Sequence, residues 1–156
     1  MKKNVLTSVT VSLAAAAMIS GTAMAAEYKV GIIQFVDDAS LNQIEKELTA
    51  KSEEGGDTYV FDGYVYNGQA DSTTLNQITT QLIDDGVDVI VPIATPAAQI
   101  VQAATEDNQI PVVFSAVSDP VGAGLAADVN APGSNITGTS DAIDTAAIFD
   151  LMLAAN

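Results

Sequence analysis

Between residues 28 and 116, short runs of apolar, β-branched residues alternate with longer stretches whose apolar positions recur at helical spacing. That alternation is what most limits the fold. The first run, Tyr28-Lys29-Val30-Gly31-Ile32-Ile33-Gln34-Phe35-Val36, reads as a buried strand. After Asp37-Asp38 the residues Leu41, Ile44 and Leu48 repeat as one face of a helix, which Gly55-Gly56 closes. Residues 58–66 are rich in Tyr, Val and Phe but are broken by Asp62-Gly63, the dipeptide of tight hairpin turns. Tyr64-Val65-Tyr66 is then the firmer strand. Leu75, Ile78, Leu82 and Ile83 mark a second helix, capped by Asp71 or Ser72 and ended by Gly86. The run over residues 87–93, interrupted only by Asp88 and Pro92, predicts a strand covered on both faces, and so a parallel sheet between helical layers. Thr95 and Pro96 open a third helix, Thr95 as a capping oxygen and Pro96 with its backbone angle already set, and Ala97, Ile100, Val101 and Ala104 line its inner face. A strand over residues 110–116 follows. Right-handed crossovers between such units leave a doubly wound, mostly parallel α/β sheet as the expected fold.

From residue 118 to 140 the chain is rich in Gly, Pro, Ala and Asn. This predicts loops, with a short element over residues 121–127 and a strand over 136–139. Ala147, Ile148, Leu151 and Met152 stripe a last helix that meets the end of the chain at Asn156 with no further element for its apolar face, as though the polypeptide were cut short.

The first 25 residues have a different character. Lys2 and Lys3 precede an apolar run over residues 5–19, followed by Gly21 and the small-residue pattern Ala23-Met24-Ala25, which is the plan of an export leader cleaved after Ala25. The run falls short of the roughly 20 apolar residues needed to span a bilayer. The expected product is therefore extracytoplasmic, periplasmic or secreted, with no stable membrane insertion after cleavage. Its 131 residues fit one domain: a lobe over residues 26–140 and a crossover helix over residues 141–156.

Composition then removes whole classes of chemistry. The leader carries no acidic residue, so the remainder sets 20 acids against Lys29, Lys46 and Lys51, a formal charge of −17. Such a surface repels nucleic acid and anionic lipid, and its plainest reading is solubility. With no His, Cys, Arg or Trp there can be no Ser-His-Asp triad, thiol nucleophile, zinc cage or disulfide framework. A paired-carboxylate mechanism survives, and with it the rival reading of a small secreted α/β hydrolase using Asp or Glu.

Ligands of open α/β sheets bind at the carboxyl ends of the strands, which singles out the loops after Val36, Ile93 and Ala116. Thr95-Pro96-Ala97-Ala98 sets helix N-terminal N–H groups at one such end, suited to a carboxylate or phosphate, though a simple cap would look the same. Ser115-Ala116-Val117-Ser118-Asp119-Pro120 offers hydroxyls and a carboxylate able to receive an ammonium group. Asp119 is the sharpest single candidate there, yet Asp before Pro also starts a turn. Asp37-Asp38 reads either as a cleft-facing pair or as a solvated helix cap. Phe35, Tyr64 and Tyr66 read as pocket lining or as sheet packing. Glu53-Glu54 and Asp84-Asp85 lack the spacing of a calcium loop, and Gly122-Ala123-Gly124 lacks the lysine or third glycine of a phosphate-binding loop.

Four segments carry a family resemblance: Gly31-Ile32-Ile33-Gln34-Phe35-Val36, Ile93-Ala94-Thr95-Pro96-Ala97-Ala98-Gln99, Val113-Phe114-Ser115-Ala116-Val117-Ser118-Asp119-Pro120-Val121-Gly122-Ala123-Gly124, and Pro132-Gly133-Ser134-Asn135-Ile136-Thr137-Gly138-Thr139-Ser140-Asp141. In this order they resemble the ABC transporter substrate-binding proteins of the tryptophan/tyrosine-binding type. The resemblance implies the first, Rossmann-like lobe of a type I periplasmic binding protein, not an enzyme, and no cofactor. It implies a ligand clamped between two lobes, an amino acid, aromatic ones included, or a similar small molecule, delivered to an ABC permease and its ATPase. The first lobe's contacts would come from Phe35, Val36 and Asp37, from Thr95, Pro96 and Ala97, and from Ser115, Ala116, Ser118 and Asp119, with Asp141 near the crossover. The Asp62-Gly63 region departs from the family pattern, and the second lobe is missing. Half of a clamp offers half of the contacts, so an inactive fragment stands as a further reading.

Overall fold

The computed structural model describes residues 26–52 and 56–155. The elements are β1 (Glu27–Gln34), α1 (Ala39–Ser52), β2 (Thr58–Val60), β3 (Val65–Asn67), α2 (Ser72–Asp84), β4 (Val89–Ile93), α3 (Thr95–Thr105), β5 (Val112–Val117), β6 (Ile136–Ser140) and α4 (Thr145–Ala154). The leader expected over residues 1–25, the pair Glu53-Glu54, Gly55 and Asn156 lie outside the described residues.

β1 is central because both of its faces are apolar. Val30 and Ile32 meet Val91 and Ile93 under α1, while Ile33 joins the larger core beneath α2 and α3. Every strand pairing is parallel, in the order β2 or β3, β1, β4, β5, β6. Helices cover both faces, as a doubly wound sheet requires. α2 supplies the deepest packing: Leu82 is fully buried, and a Cβ built on Gly31 of β1 would stand 2.7 Å from its Cδ1, so glycine there lets helix and strand approach. Burying one such leucine contributes roughly 1.5–3 kcal/mol. The ends of α2 are chemically fixed. Asp71 Oδ1 accepts from Thr74 N–H at 2.7 Å, and past the other end Gly86 (φ 66°) lets Val87 N–H reach Leu82 C=O at 3.3 Å and its own N–H reach Ile83 C=O at 3.1 Å.

Three local expectations are corrected. Asp62-Gly63 does not turn a hairpin. β2 and β3 both run parallel to β1, beside its residues 27–29 and 32–34, so the two are one edge strand interrupted by a turn. Tyr64 N–H closes that turn on Phe61 C=O at 2.9 Å and Gly63 supplies the positive φ of 82°. Thr95 is not the cap of α3. Ala94 is, with no side-chain oxygen to offer, and Thr95 and Pro96 are the first two helical residues. Residues 121–127 form consecutive turns rather than a regular element, anchored by the buried Leu125, whose N–H bonds Pro120 C=O at 2.8 Å.

Pro92 lies inside a central strand, where a missing N–H is normally costly. The β4–β5 ladder runs past it, with Ile90 N–H to Pro111 C=O and Ala94 N–H to Ser115 C=O, each 3.0 Å. α4 buries no residue, and Phe149, Leu151, Met152 and Leu153 are 60–76% exposed. Among the described residues, no helix is long and apolar enough to cross a membrane.

Candidate functional site

β1 connects outward to β2 and β3, and the chain then crosses back over β1 to β4. The winding reverses between β1 and β4, and the crevice of such a sheet opens there, at the carboxyl ends of the strands. The loops that meet on this rim are residues 35–38, 68–71, 94–97 and 115–119.

The backbone is held in unusual conformations at that rim. Of the five described non-glycine residues with positive φ, Gln69 (54°) and Ala70 (55°) follow β3, Ala94 (83°) follows β4 and Ala116 (53°) lies within β5; Gln109 (56°) precedes β5 at the opposite end. Such residues cost about 1–3 kcal/mol each and persist where the surroundings dictate them. Ala94, with ψ 153°, occupies a region that is essentially glycine's alone. Its N–H bonds Ser115 C=O, and Ile93 stands beside Ser115 in register. Ser115 and Ala116 are the place where β5 slips against β6: Phe114 faces Gly138, yet Val117 faces Ser140, so one extra residue bulges from β5. Bulges of this kind re-aim side chains beside functional sites.

Parallel pairing therefore brings Thr95 at the start of α3, Ser115 near the end of β5 and Asp119 in the loop after it to one rim. Thr95 is half-buried, Pro96 is exposed and Ala97 is fully buried. The first-turn N–H groups of a helix have no intrahelical partner, which leaves that of the half-buried Thr95 for the rim, while Pro96 has none to give and Ala97 is fully buried. The loop after β5 is braced by α3, whose Gln99 Nε2 donates to Ala123 C=O at 3.0 Å. Asp119 Oδ1 accepts from Gly122 N–H at 2.8 Å, so the carboxylate holds its own turn and stays exposed. Ser140 Oγ donates to Ser118 C=O at 3.1 Å and Asp141 N–H to Val117 C=O at 3.3 Å, which draws Asp141 to the same loop.

On the β1 side, Phe35 gives its N–H to Ile93 C=O at 3.2 Å, takes one from Ala70 at 2.8 Å, and packs its ring against the main core, as do Tyr64 and Tyr66. Val36 is half-buried. Asp37 is exposed, its Oδ1 accepting from Asn42 Nδ2 at 2.8 Å. Asp38 caps α1: the Ser40 hydroxyl and then the Ser40 N–H, at 2.8 Å, hold its carboxyl below the ordinary aspartate range. Both halves of Asp37-Asp38 are thus occupied by the start of α1. Among the described residues, no group of three acidic or other metal-ligating side chains is placed to hold an ion.

The rim residues that sequence reasoning passed over are Gln69, Ala70 and Ala94. Nothing in an alanine or glutamine announces a left-handed backbone, and no residue-type rule pointed to them.

An open parallel sheet with helices on both faces and polar loops collected at its switch point defines a doubly wound α/β fold, a class whose ligands bind at that crevice. Residues 29–154 match the ABC transporter substrate binding protein family, and the chain belongs to that family, one of solute-binding proteins. A curated relative, the tyrosine-binding protein of Clostridioides difficile (strain R20291), is 39% identical over 116 residues, 72% of this chain and 32% of the relative. Among solved structures, a domain in complex with L-Trp from Streptococcus pneumonia superposes with a TM-score of 0.67 at 37% identity, covering 75% of this chain and 39% of that one. A conserved domain protein from Vibrio cholerae gives 0.71 at 33% identity, covering 80% and 42%. The ligand-free, open form of a substrate binding protein with adhesive properties from Clostridium difficile gives 0.68 at 32% identity, covering 81% and 43%. The chain spans about a third of the curated relative and about two fifths of these solved chains.

Proposed function

We propose that the chain is the first lobe of the extracytoplasmic solute-binding component of an ABC importer, and that it captures an amino acid, aromatic ones foremost. The observation that carries this reading is the pairing of opposite polarities on one rim. The helix N-terminus at the half-buried Thr95 suits a carboxylate. The exposed carboxylates of Asp119 and Asp141 on neighbouring loops suit an ammonium group, and Ser118 beside Asp119 is exposed as well. Only a zwitterion uses both. The relatives named for tyrosine and found with L-Trp support the choice of an aromatic side chain. In this reading residues 1–25 are removed on export, residues 141–156 lead away toward a second lobe that completes the clamp, and the loaded protein docks on a membrane permease served by an ATPase. It binds its ligand without transforming it.

The test is a thermal-shift and calorimetric titration with L-tryptophan, L-tyrosine and glycine. An aromatic amino acid at 100 times its Kd is expected to stabilise the fold by about 2.7 kcal/mol. The reading fails if neither aromatic amino acid binds, or if the protein turns either of them over.

A further inference from the structure

We propose that Gln34 is a positioning residue of this site: its buried side-chain amide holds the start of α1, and with it the rim loop over residues 35–38, in the register that receives ligand. The inference rests on the amino-acid reading of the rim given above.

Gln34 is 5% exposed, at the last position of the central strand. The other two buried polar side chains among the described residues serve their own helices: Thr79 bonds Leu75 C=O and Thr105 bonds Val101 C=O. Gln34 reaches into a different element. Its Nε2 donates to Leu41 C=O in the first turn of α1 and to Glu45 Oε2 one turn on, both at 3.4 Å. α1 needs such a tie, because it buries no residue fully and rests on the sheet through the partly buried Leu41, Ile44 and Leu48. Apolar contacts of that kind are non-directional and do not fix a helix along its axis. An amide with two N–H groups aimed at one carbonyl and one carboxylate does. A leucine would fill the same space without the desolvation cost of a buried amide, so packing alone does not account for glutamine. Both bonds are long against the usual 2.9–3.0 Å. The loop between Gln34 and Leu41, which carries Phe35, Val36 and Asp37, is thus held at its far end by contacts that have room to shorten.

The experiment compares the full chain with Gln34→Leu, Gln34→Glu and the exchanged pair Gln34→Glu with Glu45→Gln. Kd for L-tryptophan and L-tyrosine is measured alongside amide hydrogen exchange in the absence of ligand. For Gln34→Leu the expected result is an unchanged far-ultraviolet circular dichroism spectrum, a Kd about tenfold weaker, and exchange in α1 about tenfold faster while α2 and α3 keep their protection. Gln34→Glu faces Glu45 with a second carboxylate and should lose more; the exchanged pair restores an amide opposite a carboxylate and should recover part of the loss. Wild-type affinity in Gln34→Leu, or an exchanged pair no better than Gln34→Glu, overturns the proposal. Should the wild-type chain bind neither amino acid, the reading of the rim fails separately. Exchange in α1 then decides for Gln34, and unchanged protection in Gln34→Leu overturns its role.

Discussion

Asp119 holds its own turn, and in the proposed reading it also receives the ligand. One carboxylate oxygen is committed to Gly122 N–H, and the residue is exposed. Asp119→Asn keeps an acceptor for Gly122 and removes only the charge. It should leave the melting temperature within about 1 °C of wild type, since surface changes of this kind stay within about ±0.5 kcal/mol. Amino-acid affinity should nonetheless fall about tenfold, as befits the loss of a charge-assisted hydrogen bond. Ala94 poses the opposite case. Its φ of 83° and ψ of 153° cost about 1–3 kcal/mol, more than the roughly 0.5–1 kcal/mol of chain entropy that glycine forfeits on folding. Ala94→Gly is therefore expected to raise the melting temperature while loosening the start of α3 and weakening ligand binding; a lower melting temperature would show that the backbone there is unstrained. Neither residue's role was fully legible in the sequence. Asp before Pro announced a turn at Asp119, but the cap rules favour Thr, and so pointed one residue past Ala94.

At the scale of elements, reading was easier wherever burial wrote a period into the chain. Leu75, Ile78 and Leu82 gave α2 its face, and the mostly apolar run over residues 87–93 correctly announced a strand covered on both sides. Strand direction is not written that way. The residues on either side of Asp62-Gly63 look the same whether they fold back on each other or continue along one neighbour, and only their shared pairing with β1 decides. The cap of α2 makes a sharper prediction. Thr74 N–H first, and its hydroxyl second, hold Asp71 below the ordinary aspartate value, so the cap's contribution is present above about pH 4 and is lost as pH falls through the lower folded value. Asp71→Asn keeps an acceptor for Thr74 without a titrating charge. Wild type should be the more stable of the two at pH 7, and melting curves should converge as the pH drops below about 4. A gap that persisted in acid would mean that the charge is not what distinguishes them.

For the molecule as a whole, what was legible was the winding, and what was not was the conformation of the rim. Alternating apolar periods and right-handed crossovers are enough to demand a parallel sheet with its loops gathered at one end. The bulge at Ser115-Ala116 and the positive φ values of Gln69 and Ala70 leave no mark in the apolar periods of the chain. The charge of −17 carried beyond residue 25 also belongs to this scale. Self-repulsion opposes the folded state, so raising NaCl to about 0.5 M, where charges are screened within a few ångström, should raise the melting temperature. A flat or falling salt response would show that the acids are spaced widely enough not to interact.

The interruption of the outer strand has a bearing on the molecule's life in a crowded compartment. An intact parallel sheet ends in a row of unmet amides and carbonyls that can template the addition of a foreign strand, and fibrous deposits grow from such margins. Here the margin consists of two three-residue pieces, Thr58–Val60 and Val65–Asn67, separated by a turn with Asp62 exposed on it. An incoming strand would find a few bonds, then a gap and a negative charge, which guards that side of the lobe against accretion of its own copies.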